Sequence, residues 1–296
     1  MMYRHRTLTV LLTLSLLVWI GGCSGQDSEA PPEFVVGAIP DQKVSELNRR
    51  FKRFTDYLET ETELNVKYVP SNDYAALVTA FKRGDVHLGW FGGLTGVQAR
   101  RAVPGSKAIA QRPKDRKFHS KFIVRSDLNV TSLSDLKGLT FTFGDENSTS
   151  GHLMPRFYMR QAGINPEKDL GAEPNYSGSH DKTWKLVESG AYQAGALNES
   201  VWKRAVRENQ VDTSTVEVFY TTPPYYDYNW TIHGDVNERF GNGTVRSVKK
   251  ALLKLDNNSP DQRRVLELFS ADGFVETKNE NYKPILETAK TIGIIQ

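Results

Sequence analysis

The 296-residue chain predicts an α/β fold built as two lobes joined by two crossings of the chain. Three observations carry that prediction. From Glu33 onward, short apolar runs of β type alternate with stretches of helical periodicity, the pattern of α/β layers with mainly parallel strands. The length exceeds what a single sheet and its covering helices comfortably use, which favours two lobes. Breaks near Arg125-Ser126 and at Pro223-Pro224 mark two places where the chain can pass between lobes. The first lobe is then discontinuous, 33–125 and 223–296, and the second is the insert 126–222. Two such crossings act as a hinge, the plan of a clamshell receptor.

Each element has its own signal. Phe34 to Ile39 reads as a strand broken by Pro40-Asp41, and Val44, Leu47, Phe51, Phe54 and Leu58 then draw one apolar helix face at spacings of three and four. Leu64 to Val69 is a second strand, and Asp73, or Ser71 before it, caps a helix from Tyr74 to about Arg83. Val86 to Phe91 is a third strand, with a helix after Thr95. The scheme repeats with strands at Phe122 to Val124, Leu139 to Phe143, Tyr192 to Leu197 and Val216 to Tyr220, and with helices from about Ser150 and from Asn198 to about Arg207. After a strand at Tyr228 to Ile232 the chain turns helical, at Val245 to Leu255, Gln262 to Phe269 and Tyr282 to Ile292. No internal repeat of fixed period and no low-complexity block is visible.

The first 22 residues read as an export signal: Arg4, His5 and Arg6, an apolar run from Leu8 to Ile20, then Gly21-Gly22-Cys23. The run is short and abruptly ended for a membrane span. Cys23 is the single cysteine, so no disulfide framework and no thiolate metal site is expected. Ile20-Gly21-Gly22-Cys23 resembles a bacterial lipobox, which implies lipidation at Cys23 and a tether over residues 23–32. The formal charge of +3 includes Arg4 and Arg6 of the signal, which leaves a nearly balanced body and argues against nucleic acid or a polybasic membrane surface as partner.

The chemistry concentrates at Asn147-Ser148-Thr149-Ser150-Gly151, between an apolar strand and a helix start. Helix N-termini carry unpaired amides and the positive end of the macrodipole, so three hydroxyls there can cradle an oxyanion without formal positive charge. The plainer alternative is that Ser148 or Thr149 caps its own helix. His180 is open to two roles as well, an oxyanion donor or a helix-cap residue. His87, His119, His152 and His233 are scattered singly, which suits structural or exposed roles better than a metal cluster. No metal or cofactor is expected.

Four ordered motifs carry a resemblance. Asp73-Tyr74-Ala75-Ala76, Trp90-Phe91-Gly92-Gly93, Asn147 through Pro155, and Ser177-Gly178-Ser179-His180-Asp181 resemble, in this order, the periplasmic binding proteins for phosphonate and phosphite. With Thr221 through Trp230, the chain looks closest to the branch assigned to selenate transporters. The resemblance implies a type II periplasmic-binding fold, a monomer, and delivery of ligand to an ABC permease and its ATPase. Carried over residue by residue, it implies that Ser148, Thr149 and Ser150 hold the oxyanion, that His180 donates to it, and that Tyr74 closes the site from the opposite lobe. Phe91 and Gly92 are implied neighbours, with phenylalanine where phosphonate receptors usually have tyrosine. Asn198 and Asp227 lie where such receptors contact the organic tail.

Asp227 separates ligand classes. A carboxylate in the site accepts from a protonated ligand or pairs with an ammonium tail, but repels a bare dianion such as selenate or sulfate. Pointing inward it favours phosphite, phosphonate or an aminoalkylphosphonate; pointing outward it leaves selenate open. Two other functions compete. A Ser/His hydrolase on Ser148 or Ser150 with His180 and Asp181 lacks a G-x-S-x-G elbow, and sequence neighbours are poorly arranged for one to orient the other. An oxyanion-sensing lipoprotein without transport would keep the same cleft.

Overall fold

The structure is a computed structural model that describes residues 1–2 and 32–296. Cys23 and the expected signal lie outside the described residues. In chain order, β1 (Phe34–Ala38), α1 (Val44–Thr62), β2 (Val66–Pro70), α2 (Tyr74–Arg83), β3 (Leu88–Phe91), α3 (Gly93–Ala102) and β4 (Lys107–Gln111) form the first part of one lobe. Residues 112–119 cross over. The second lobe holds β5 (Ser120–Arg125), β6 (Phe141–Phe143), a π-turn at Thr149–Leu153, α4 (Met154–Gln161), α5 (Pro166–Asp169), β7 (Asn175–Tyr176), α6 (His180–Glu188), β8 (Ala194–Asn198), α7 (Glu199–Arg207) and β9 (Val216–Thr221). Residues 222–228 return the chain. The first lobe is completed by β10 (Asn229–Ile232), α8 (Val236–Phe240), α9 (Thr244–Lys254), α10 (Pro260–Phe269), β11 (Val275–Glu276) and α11 (Lys283–Thr291).

The sheets read β11-β4-β10-β3-β1-β2 and β7-β6-β8-β5-β9. In each, three strands are parallel, β2-β1-β3 and β7-β6-β8, and the next strand runs antiparallel to them. That strand is β10 or β5, each the first after a crossing, so it enters its sheet from the lobe junction. The expectation of mainly parallel strands is thus corrected to mixed sheets. The first crossing is corrected too: β5 pairs with β8 and β9, which puts the crossing at 112–119 and not at Arg125-Ser126.

Burial follows the sequence pattern. Leu47, Phe51, Phe54 and Leu58 of α1 are buried, whereas Val44, at the first turn, is exposed. Phe54 stacks on Trp230 of β10 at 4.5 Å and meets Phe269 of α10 edge-on at 5.8 Å, so helices before and after the insert share one core.

The two crossings are bonded to each other. Phe118 and Tyr225 exchange both backbone hydrogen bonds, at 2.8 and 3.0 Å, and Asp227 N–H donates to the Asp115 carbonyl at 3.0 Å. Asp115 is itself buried and grips Arg112 through two bonds of 2.7 Å; Arg112 also donates to the Phe269 carbonyl and lies over the Tyr228 ring at 4.8 Å. Removing one partner of such a buried pair leaves a charge uncompensated. Arg112→Met should cost about 3–5 kcal/mol in urea unfolding, with partial recovery when Asp115→Asn is added; a double variant as unstable as the single one contradicts the pairing.

Candidate functional site

The segments following the carboxyl ends of β1, β3, β6 and β8 meet between the lobes, where α/β sheets place ligands. They bring Asp41, Gly92, the 144–151 loop and Asn198 to one place, with Tyr74 opening α2 and His180 opening α6. Tyr74, Ser148, Thr149, Ser150, His180 and Asp227 are all buried.

Ser148 caps the π-turn, its hydroxyl oxygen accepting from Gly151 N–H at 2.9 Å. The capping alternative therefore describes a real bond. It leaves the Ser148 hydroxyl hydrogen free to donate, and this hydroxyl lies beside the Tyr74 phenol. The first amides of the turn, Thr149 and Ser150, have no acceptor within it, the arrangement that suits an anion. Thr149 behaves differently. Its hydroxyl oxygen accepts from Leu94 N–H of the other lobe at 2.9 Å, and its hydrogen faces Asp227.

His180 is neutral. Burial drives its pKa down to about 4 against the opposing pull of Asp41 and Asp181. Its Nδ1 accepts from Asn198 N–H at 3.4 Å, which leaves the proton on Nε2 as a donor. The ring lies against the 144–151 loop: a Cβ at Gly151 would stand 3.1 Å from His180 Cε1. Because Asn198 N–H faces Nδ1, Asp181 does not orient this ring; it accepts from the Ser179 hydroxyl at 2.9 Å.

Asp227 points inward. Its Oδ1 accepts from Gly93 N–H at 2.8 Å, while Oδ2 is buried without a partner, as is Tyr74 Oη. Burial raises the Asp227 carboxyl to about 7, with Gly93 N–H the chief opposing influence. Gly92 makes room for this group, since a Cβ there would be 3.3 Å from Thr149 Oγ1 and 3.4 Å from Asp227 Oδ1.

Two expected contacts fall elsewhere. The Phe91 side chain folds back over Gly89 and meets Phe81 edge-on at 5.4 Å, in the core of its lobe. Asn198 is committed to structure: its carbonyl oxygen caps α7 by accepting from Ser200 and Val201 N–H, and its amide donates to Tyr228 Oη at 2.8 Å. Asp41, which the sequence presents only as part of the break after the first strand, joins the site as well. It accepts from Tyr228 Oη at 2.7 Å and, through its carbonyl, from His180 N–H at 3.2 Å, linking the lobes. Its place just after β1 matches that of Gly92 after β3, which was the available signal. Gln98 to Asn147 at 3.0 Å and Arg204 to Glu46 at 3.4 Å add further ties between lobes.

Comparison with known proteins shows the family. Residues 36–282 match the family described as ABC transporter, phosphonate, periplasmic substrate-binding protein. The chain is 43% identical over 272 residues to the probable ABC transporter phosphite binding protein PhnD1 of Prochlorococcus marinus strain MIT 9301, covering 90% of this chain and 92% of that one. It is 29% identical to the phosphate-import protein PhnD of Mycolicibacterium smegmatis over 64% of each chain. The solved structure of the Prochlorococcus PhnD1 in complex with methylphosphonate superposes with a TM-score of 0.87, at 43% identity, over 90% of this chain and all (100%) of that one. The chain belongs to the phosphonate-type periplasmic substrate-binding proteins of ABC transporters.

Proposed function

We propose that this protein captures a small, singly protonated phosphorus oxyanion, phosphite or a short phosphonate, between its lobes and hands it to an ABC permease and its ATPase. The observation that carries this reading is the inward Asp227 with its unpartnered Oδ2, set beside neutral donors. Bare ligand oxygens take the Thr149 and Ser150 amides, the Ser148 hydroxyl, His180 Nε2–H and Tyr74 Oη–H. The one protonated ligand oxygen donates to Asp227. Above pH 7, where Asp227 is ionised, sulfate or selenate offers no such hydrogen and meets a carboxylate instead, so the selenate alternative loses ground there.

Asn198 is engaged, and among the described residues Asp227 Oδ2 is the one buried carboxylate oxygen without a partner, which leaves none to pair an ammonium tail and favours a hydrogen or methyl substituent over an aminoalkyl one. The names of the Prochlorococcus relative and its complex, phosphite and methylphosphonate, support this ligand class. The crossings at 112–119 and 222–228 serve as the hinge, and ligand shifts the population toward the closed form that the permease reads. Lipidation at Cys23 keeps the receptor at the membrane.

Calorimetric titration should give dissociation constants between micromolar and nanomolar, about 8–12 kcal/mol, for phosphite and methylphosphonate, and far weaker binding of sulfate and selenate. Ser148→Ala and His180→Ala should each weaken methylphosphonate by about ten- to a hundredfold while remaining folded. Absence of binding to every phosphorus oxyanion would end the proposal.

Asp227 also predicts a pH signature. Its folded pKa, about 7, lies above the ordinary 3.8, so its contribution to stability is fully present below 3.8 and is lost as pH rises through 7. Asp227→Asn escapes that loss. Without added ligand, the melting temperature of the variant relative to wild type should rise from about pH 4 to about pH 8, while methylphosphonate binding falls. A difference independent of pH would place the Asp227 charge in contact with solvent.

A further inference from the structure

The turn carrying the oxyanion donors is of π type, with Leu153 N–H donating to the Ser148 carbonyl at 2.9 Å and Met154 N–H to that of Thr149. Single π-turns are uncommon and recur at functional sites, which raises the question of what holds this one. His152 occupies its fourth position. The imidazole Nδ1 is 2.6 Å from the Glu146 carbonyl oxygen, before the turn, and Nε2 is 2.7 Å from Arg156 Nε, one helical turn later. A carbonyl only accepts and a guanidinium only donates, so the ring is neutral with its proton on Nδ1.

Arg156 is fixed in its turn. It bonds Glu167, donates to the Tyr176 hydroxyl at 2.9 Å, and lies 5.2 Å over the Phe143 ring at the end of β6. The Tyr176 hydroxyl also approaches His152 Nε2, at 3.2 Å. Burial, with the Arg156 charge beside it, brings the imidazole down to about 4 against the pull of the Glu146 carbonyl. Every strut therefore favours one tautomer and one rotamer.

We propose that His152, its ring oriented by Arg156, is a positioning residue for the binding turn: through Nδ1 it ties the chain before Ser148 to the turn and sets the Thr149 and Ser150 amides in the register that receives the oxyanion. This rests on the oxyanion reading of the site. His152 touches no ligand. Its role is to keep the turn from tightening into an ordinary helical one, which would shift the Thr149 and Ser150 amides relative to the cleft.

Two substitutions divide the ring's functions. His152→Asn retains a donor at the Nδ1 position and can still reach the Glu146 carbonyl; His152→Gln places its amide at the Nε2 position and serves Arg156 only. Both lose core packing, so both should melt lower. Methylphosphonate affinity should fall by less than about threefold in the Asn variant and about tenfold or more in the Gln variant. Nitrogen-15 spectra of wild type at neutral pH should show the Nδ1–H tautomer, and hydrogen exchange of the turn amides should quicken in the Gln variant alone. Equal affinity in the two variants, or a proton on Nε2, overturns the proposal. Should wild type bind none of the oxyanions, the reading of the site fails, and the tautomer and exchange arms still judge the brace.

Discussion

A carboxylate enclosed between two lobes with one oxygen unmatched is the constraint around which this structure is organised. Leaving a charged oxygen unpaired out of water costs several kcal/mol, so the surroundings of Asp227 must hold it there. They do so through backbone. Asp227 N–H is tied to the Asp115 carbonyl of the other crossing, and its Oδ1 to the first amide of α3. The paired crossings, with Arg112 locked to Asp115 beneath them, keep the carboxylate from swinging to solvent. A group so placed is completed by a partner that brings a hydrogen, and the neutral donors opposite define the rest of that partner.

The lobes are topological copies that their sequences do not reveal. Both sheets share an order of five strands, two outer parallel strands, a third, the strand arriving from the junction, and one beyond it, and the first sheet adds β11 at its edge. The arrangement turns the carboxyl ends of both sets of parallel strands toward each other. It also explains why the donors sit at helix starts on both sides. The π-turn and α6 belong to one lobe, α2 and α3 to the other, and each helix that follows one of the parallel strands begins at the cleft. In the proposed cycle, contacts such as Leu94 with Thr149 and Asp41 with His180 form as the lobes meet.

Much of this was legible in the residues. The spacing in α1, the Asp73 cap of α2, whose Oδ1 accepts from Ala76 N–H, and the strand before Asn147 all stand where local pattern put them. What escaped depended on distant partners. β4, Lys-Ala-Ile-Ala-Gln, has too little bulk or branching to signal a strand and exists because β10 and β11 flank it. The place of β5 could not be inferred, since only its pairing with β8 and β9 assigns it to a sheet. Within the site, Tyr74, Ser148, Ser150, His180 and Asp227 converge, whereas Phe91 and Asn198, expected there from the family resemblance, serve core and cap. His152 was read as isolated because its partners, a backbone carbonyl and an arginine four residues on, leave no motif.

The central claim is that one hydrogen on the ligand, accepted by Asp227, decides what this receptor takes up. A high-resolution crystal structure of the soluble body with methylphosphonate tests it most directly. The account predicts one ligand oxygen within hydrogen-bond distance of Asp227 Oδ2, with the remaining two facing the Thr149 and Ser150 amides, Tyr74 and His180. A ligand seated with Asp227 turned away, or with every oxygen bound by donors and none by the carboxylate, would contradict it.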